Sequence, residues 1–282
     1  MTTPRSTRKK VLDLLVKVDR AHKHLSDFQL EVNRFFRPPY PYEIIPEDDA
    51  QKGERTYYLR VHKEIPPEFS AFIGDIAQNL RSALDHLAWH LVQSCSILPK
   101  ARERDIYFPI FEDAREYGEG KMRKIKGMSD AATQAIDDLM PYGRLDKNNP
   151  MAGIGNLALY WLNAINLQDK HRLLIPVWAA APAHSITKSG RAEMAAALCS
   201  AFGSESANVM VGSLVDSSTP LEDGSKLCAL PIAEVDDDMK FRFQVAFGEP
   251  KSMRGKEVLS TLNNMHRIVK EIMFDFNNRG LL

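Results

Sequence analysis

Cysteine is scarce in this chain, and the few cysteines are far apart. Cys95, Cys199 and Cys228 are the three cysteines among 282 residues, and no two of them form a CxxC pair. This spacing excludes the dense disulfide framework of small secreted proteins and offers no thiol-rich zinc motif. We therefore expect a protein of the reducing cytoplasm that has no disulfide partner.

The chain also lacks an excess of charge of one sign and any long apolar run. Lys and Arg total 37, as do Asp and Glu, so the formal net charge is zero at pH 7. No overall electrostatic attraction to nucleic acid or to a membrane follows. No apolar run approaches the roughly 20 residues that span a bilayer. The opening stretch is interrupted by Asp13 and Lys17, which predicts an amphipathic helix instead of a secretory leader.

What the chain does contain is a helical half followed by a strand-rich half. Hydrophobic residues at 44% and charged residues at 26% are typical of a folded globular protein. Apolar periodicity predicts helices over residues 8–36, 66–98, 129–139, 155–168 and 257–276. Composition predicts a β-hairpin near 42–65, a short strand or extended crossover at 107–111, and strands over 173–180, 208–215, 226–235 and 239–248.

This order of elements predicts the α+β class. We expect a mainly helical bundle region over residues 1–171, including the hairpin, and an antiparallel sheet plus a closing helix over 172–282. The sheet would have about four or five strands paired as a meander. The two regions are expected to pack as one compact unit.

The most unusual stretch is NLRSALDHLAWHL, residues 79–91, inside the second predicted helix. At 100° per residue its leucines form one stripe, together with Phe69 and Ile73, which predicts the core face. Arg81 and Asp85 stand one turn apart at the flank of that stripe. His86 and His90 stand one turn apart on the opposite face.

One interpretation of this helix is a metal site. Two imidazoles in an HxxxH pattern can face a single ion, and His171 or Asp169 from the end of the 155–168 helix would complete the ligand set. A metalloprotease is not indicated, because no glutamate follows His86 as it does in HExxH.

A second interpretation gives the polar residues a structural role. Histidines on helices often cap or hydrogen-bond neighbouring helices, and the protein would then be a non-enzymatic binding or assembly protein. The Asp169-Lys170-His171-Arg172 sequence would likewise solvate the turn and cap its helix.

The third interpretation is metal-independent RNA cleavage by Arg81 and His86. Histidine exchanges protons near neutral pH, and arginine can hold a phosphate and stabilise its developing charge. Five positions separate the two side chains by about 140° on a straight helix, so one copy converges poorly. A two-fold homodimer would bring two copies together. No cofactor is expected.

The stretch RSALDH resembles the RxxxxH motif of the HEPN superfamily. That superfamily consists of helical-bundle proteins, many of them dimeric ribonucleases, and the resemblance implies catalytic roles for Arg81 and His86 and RNA as the partner. A longer resemblance covers most of the chain. GDIAQNLRSALDHL (74–87), FPIF (108–111), LMPY (139–142) and DKHRLL (169–174) are similar in order to a widespread family of uncharacterised bacterial proteins.

The longer resemblance implies that residues 74–91 and 169–172 form one spatial unit. Carboxylate and imidazole groups facing each other across a cleft would tune each other's protonation. The candidate residues lining such a site are Asp85, Trp89, His90, Asp169, His171 and Arg172.

Overall fold

The computed structural model describes residues 4–95, 104–146, 148–149, 153–171, 177–180, 221–235 and 243–282. In this part of the chain the helices are α1 (Pro4–Phe35), α2 (Glu68–Gln93), α3 (Ala114–Ile125), α4 (Asp130–Asp137), α5 (Leu157–His171) and α6 (Val258–Asn278). The strands are β1 (Tyr42–Asp49), β2 (Glu54–Val61), β3 (Phe111–Asp113), β4 (Tyr142–Arg144), β5 (Val177–Ala180), β6 (Lys226–Pro231) and β7 (Gln244–Phe247). The predicted α+β class, with a helical N-terminal half and a closing helix, is confirmed.

Contacts group the chain into two compact units. The helical unit comprises Met1–Gln29, Pro67–Ile175 and Leu259–Leu282, and the sheet unit comprises Leu30–Pro66 and Pro176–Val258. Each unit is therefore assembled from separate stretches of sequence, with the hairpin in the sheet unit and nearly all of α6 in the helical unit. None of the helices that the structure describes has an apolar stretch long enough to cross a membrane.

The predicted hairpin is confirmed in the sheet unit. β1 and β2 pair antiparallel from Tyr42 opposite Val61 to Asp49 opposite Glu54. The Asp49 carboxylate accepts hydrogen bonds from the backbone N–H groups of Gln51 at 3.0 Å and Lys52 at 3.1 Å, closing the turn. Gly53 completes it with a φ of 67°, a conformation that costs glycine little because it has no Cβ.

The C-terminal strands pair with partners distant in sequence. β6 lies antiparallel against β2, and β7 lies antiparallel against β5, so β6 and β7 do not form the expected meander. The predicted strand at 208–215 lies outside the described residues. Tyr57, Leu59, Leu227 and Leu230 form a buried cluster between β2 and β6. The pairing of β6 with β2 buries apolar side chains of both strands, which stabilises the sheet.

The two described cysteines are free thiols. Cys228 is buried in the sheet cluster and Cys95 is exposed after α2, while Cys199 lies outside the described residues.

The helical unit is built around the predicted stripe of α2. Phe69, Ile73 and the four leucines of residues 79–91 are all buried, so the core face of this helix is confirmed. The other helices contribute apolar side chains of the same kind, including Phe28 from α1, Leu162 from α5 and Phe276 from α6. Burying a side chain of this size contributes roughly 1.5–3 kcal/mol each, as an upper estimate.

Two short helices differ in how well the sequence predicts them. The predicted helix at 129–139 is α4, and the Ser129 hydroxyl caps it by accepting a hydrogen bond from the Ala132 N–H at 3.2 Å. α3 was not predicted, because its two glycines lower helix propensity. A Cβ added at one of them, Gly120, would lie 2.5 Å from Cε1 of the Phe111 ring, so the helix approaches β3 through this glycine.

Candidate functional site

Arg81 lies in the middle of α2, and its side chain enters the interior of the helical unit. The residue is only 6% exposed. Its Nε donates to Oδ1 of Asn163 on α5 at 3.2 Å, its Nη1 donates to Oδ1 of Asp85 at 2.6 Å, and its Nη2 donates to the carbonyl oxygen of Phe108 at 2.8 Å. All three guanidinium nitrogens therefore hold partners inside the protein.

Asp85 completes this arrangement from the next turn of α2. The oxygen that accepts from Arg81 also accepts from the backbone N–H of Phe108 at 2.9 Å. Together the two side chains hold both polar groups of Phe108, its N–H and its C=O. We call this set, consisting of Arg81, Asp85 and the Phe108 backbone, the Phe108 clamp.

The clamp links the RSALDH and FPIF motifs, because side chains of the first hold the backbone of the second. Residues 106–110 form no helix or strand, and the Phe108 ring is fully buried. Buried backbone polar groups need partners, because leaving one unpaired costs about 1–3 kcal/mol. Two side chains of α2 provide the hydrogen bonds that a neighbouring strand would otherwise provide. The extended crossover predicted at 107–111 is thus anchored by α2, and the strand β3 begins only at Phe111.

The electrostatics of the clamp are those of a partly buried ion pair, in which Arg81 is buried and Asp85 is half-buried. Burial raises the pKa of Asp85, and the Arg81 charge and the Phe108 N–H oppose that rise. Burial lowers the pKa of Arg81, and the attraction of Asp85 opposes this shift. An arginine remains protonated in proteins, and its charge favours the ionised form of Asp85, so each charge depends on the other.

His86 and His90 lie away from the clamp on the outer side of α2. His86 is exposed and His90 is half-buried, with its ring 5.1 Å from the half-exposed Trp89 ring in an edge-on contact. Within one chain the structure therefore directs Arg81 inward and His86 outward. This matches the divergence of about 140° expected for positions five apart.

Asp169 and His171 lie beside a different part of α2 from the part that carries His86 and His90. Asp169 packs against Gly74, where an added Cβ would lie 2.6 Å from its Cγ. Since Asn163 contacts Arg81 while Asp169, later in α5, contacts Gly74, earlier in α2, α5 runs antiparallel to α2. Gly74 lies twelve residues before His86, about 18 Å along a helix. Asp169 and His86 are not brought together.

Burial and the neighbouring Asp75 carboxylate raise the pKa of Asp169. His171 is exposed in the last turn of α5, and Arg172 lies outside the described residues. Gly74 and Asp169 meet here as a helix contact, in which an added Cβ would require the Asp169 carboxylate to shift.

The histidines and acids of the described residues do not assemble into a metal site. Across the parts of the chain that the structure describes, no group of three or more His, Cys, Asp or Glu side chains is placed to hold a metal ion. His86, His90 and His171, the proposed ligand set, are not gathered at one point.

A cleft beside the clamp was not predicted from the sequence. It has a volume of about 810 Å³ and lies between the stretch before Phe108 and the C-terminal end of α3. The described residues that line it are Asp105, Ile106, Tyr107, Met122, Arg123, Lys124 and Lys126. The basic run KMRKIK at 121–126 was the available signal. It was missed because α3 itself was not predicted.

The clamp and the cleft share one stretch of backbone. The Tyr107 N–H donates to the Lys124 carbonyl at 3.3 Å, which joins the two walls of the cleft, and the next residue is held by the clamp. The two resemblances given above stay predictions. The chain matches no protein-family model, no curated protein and no solved structure.

Proposed function

We propose that this protein is a non-enzymatic binding protein that does not cleave RNA, and that Arg81 stabilises the fold of its binding surface. The observation that carries this proposal is the engagement of Arg81, whose three guanidinium nitrogens all donate to protein acceptors in a side chain that is 6% exposed. A phosphate-binding arginine must present its donors to the ligand.

Releasing Arg81 to a substrate would be costly. Asp85 would be left as a half-buried carboxylate without its cation, and the Phe108 carbonyl would lose a charged donor. Breaking one partner out of a buried ion pair typically costs about 3–5 kcal/mol. The binding function keeps the clamp intact and assigns it a role, which is to hold the segment before and after Phe108 in place.

A second candidate is a HEPN-like, metal-independent ribonuclease that acts as a homodimer. The exposure of His86 favours this candidate, because a proton-transfer group must reach its substrate. In a dimer, His86 would exchange protons while an arginine holds the phosphate. This mechanism requires Arg81 to leave Phe108 and Asp85 when the dimer or the RNA complex forms.

An RNA cleavage assay in a chelator separates the two candidates. Wild type, His86→Ala and the matched control His90→Ala would be incubated with single-stranded RNA and transfer RNA, after circular dichroism has shown equal folding. The binding proposal predicts that all three samples leave RNA as intact as buffer does. Fragments formed by wild type and His90→Ala, but absent with His86→Ala, would establish the ribonuclease. Light scattering on the same samples would give the oligomeric state that the second candidate requires.

A further inference from the structure

The cleft beside the clamp has two chemically distinct parts. One wall carries Arg123, Lys124 and Lys126 at the end of α3, and the other carries Tyr107. Tyr107 is 47% exposed and Met122 is 49% exposed, so an aromatic ring and a thioether face solvent next to three cations. The volume of about 810 Å³ lies within the usual range of small-molecule sites, roughly 300–1,000 Å³.

The position of the cations is only partly explained by the fold. Basic residues in the last turn of a helix complement its negative end, and Arg123 and Lys124 both stand in this turn of α3, with Lys126 at the C-cap. This does not account for the partial burial of Lys124. That ammonium is half-buried, 4.3 Å from the centre of the Phe111 ring. Its pKa is lowered by burial and by the positive charges of Arg81 and Arg123.

Lys124 is therefore a cation held among other cations. The Asp85 carboxylate opposes these effects on Lys124, but it already accepts hydrogen bonds from Arg81 and Phe108. Asp105 is the only acid among the described residues that line the cleft. An anion bound there would relieve the repulsion between the three cations. The overall charge of the protein is zero, so this excess is local.

We propose that this cleft binds a nucleotide, with its phosphate on Arg123, Lys124 and Lys126 and its base on the Tyr107 ring. This inference rests on the proposed binding function. A cationic surface beside an exposed aromatic ring is the arrangement that single-strand binding proteins use, because the backbone meets the charges and the base stacks on the ring. A free mononucleotide and a nucleotide within single-stranded RNA share this chemistry.

The clamp gives the cleft its shape. Tyr107 is bonded through its backbone N–H to Lys124, and the following residue is fixed on both polar groups. A stacking ring on an unpaired segment is held in place only if its backbone is fixed. The fold therefore prepares the ring and the cations for one ligand before binding.

Binding would be measured by fluorescence polarisation with a labelled short oligoadenylate, and by competition with AMP, adenosine and inorganic phosphate. The variants are Lys124→Met, which keeps the side-chain stem, the exposed pair Arg123→Ala with Lys126→Ala, and Tyr107→Ala. The matched control is Arg115→Ala on the same helix, nine residues before Lys124 and thus about 13.5 Å from it along the helix axis. Thermal unfolding would confirm that each variant folds.

We expect Tyr107→Ala to weaken binding about 5- to 150-fold, the loss typical of one stacked base. Removing cations should weaken binding, and the log–log slope of RNA affinity against salt should become shallower by about 0.7 for each phosphate that is no longer neutralised. Arg115→Ala should bind as wild type does. Oligoadenylate binding assigns the site to RNA, and AMP binding without oligoadenylate binding assigns it to a free nucleotide.

Three results would overturn this inference. They are the absence of binding to every probe at millimolar concentration, binding that the cleft variants do not change, and competition by inorganic phosphate as strong as that by AMP. Recovery of the RNA on a denaturing gel keeps the two proposals distinct. Cut RNA would refute the binding function. Intact RNA that the cleft variants bind as well as the wild type does would refute only the cleft as the binding site.

Discussion

The Phe108 clamp predicts that Arg81 is among the most important polar residues for stability. Replacing it with methionine keeps much of the side-chain volume and removes three hydrogen bonds, one of them to a carboxylate. Asp85, whose side chain is 24% exposed, would remain as a half-buried charge without its partner. We expect Asp85→Leu, which strands the buried guanidinium, to lower the free energy of unfolding by about 3–5 kcal/mol, and Arg81→Met to cost an amount near the lower end of this range because water reaches the remaining carboxylate.

The double variant gives a sharper expectation than either single change. With both charges gone, the remaining cost is that of the groups left without their partners, which are the N–H and C=O of Phe108 and the Oδ1 of Asn163. The double variant should therefore be more stable than the sum of the two single losses predicts, by about 0.5–3 kcal/mol, the coupling typical of residues in contact. A double-mutant cycle measured by urea unfolding gives this coupling directly.

The control pair is Arg267 and Glu271 on α6, which has the same spacing of four residues and a distance of 2.8 Å between Nη1 and Oε1, but side chains that are 60% exposed. Exposed pairs of this type contribute about 0.3–0.5 kcal/mol. Arg267→Met and Glu271→Leu should then each lower the free energy of unfolding by less than about 1 kcal/mol. If Arg81→Met cost no more than its exposed counterpart, the clamp would not stabilise the fold.

Two further predictions concern helix contacts in the same unit. Gly74→Ala should lower the free energy of unfolding by about 1–3 kcal/mol, because the new methyl group overlaps the Asp169 carboxylate. The control is Gly118→Ala, whose methyl group meets no atom within 4 Å and which should be neutral or stabilising by up to about 1 kcal/mol. Equal effects of the two substitutions in urea unfolding would contradict the contact between Gly74 and Asp169. His266 stacks on His22 with ring centres 5.1 Å apart, and its pKa is lowered by burial, by His22 and by Lys270. Since the unfolded chain then binds more protons, the stability contributed by neutral His266 is complete above pH ~6.5 and is lost as the pH falls below that value. His266→Gln should remove part of this loss, and equal pH dependence of wild type and variant in thermal unfolding would contradict it.

The features that sequence reasoning predicted are those set by local pattern. The leucine stripe of α2 follows from a period of 3.6 residues, and the hairpin follows from β-rich runs on both sides of a polar turn that contains Gly53. The cap of α4 follows from Ser129. Each of these depends on residues close together in sequence, and each is confirmed.

The features that sequence reasoning missed depend on contacts between distant residues. The sequence placed Arg81 at the flank of the core stripe, and only the arrival of Phe108 and Asn163 makes it a buried partner. α3 was missed because Gly120 is required by the Phe111 ring, a contact that outweighs its low helix propensity. The pairing of β6 with β2 joins strands more than 160 residues apart, and no local signal specifies it.

The most direct test of the account is the hydrogen exchange rate of the Phe108 amide. This amide lies in a segment with no helix or strand, yet Asp85 accepts its hydrogen bond at 2.9 Å in the interior. We predict strong protection in the wild type and loss of protection in Asp85→Leu under conditions where that variant remains folded. Rapid exchange in the wild type would show that the clamp is open, and Arg81 would then be available to a substrate.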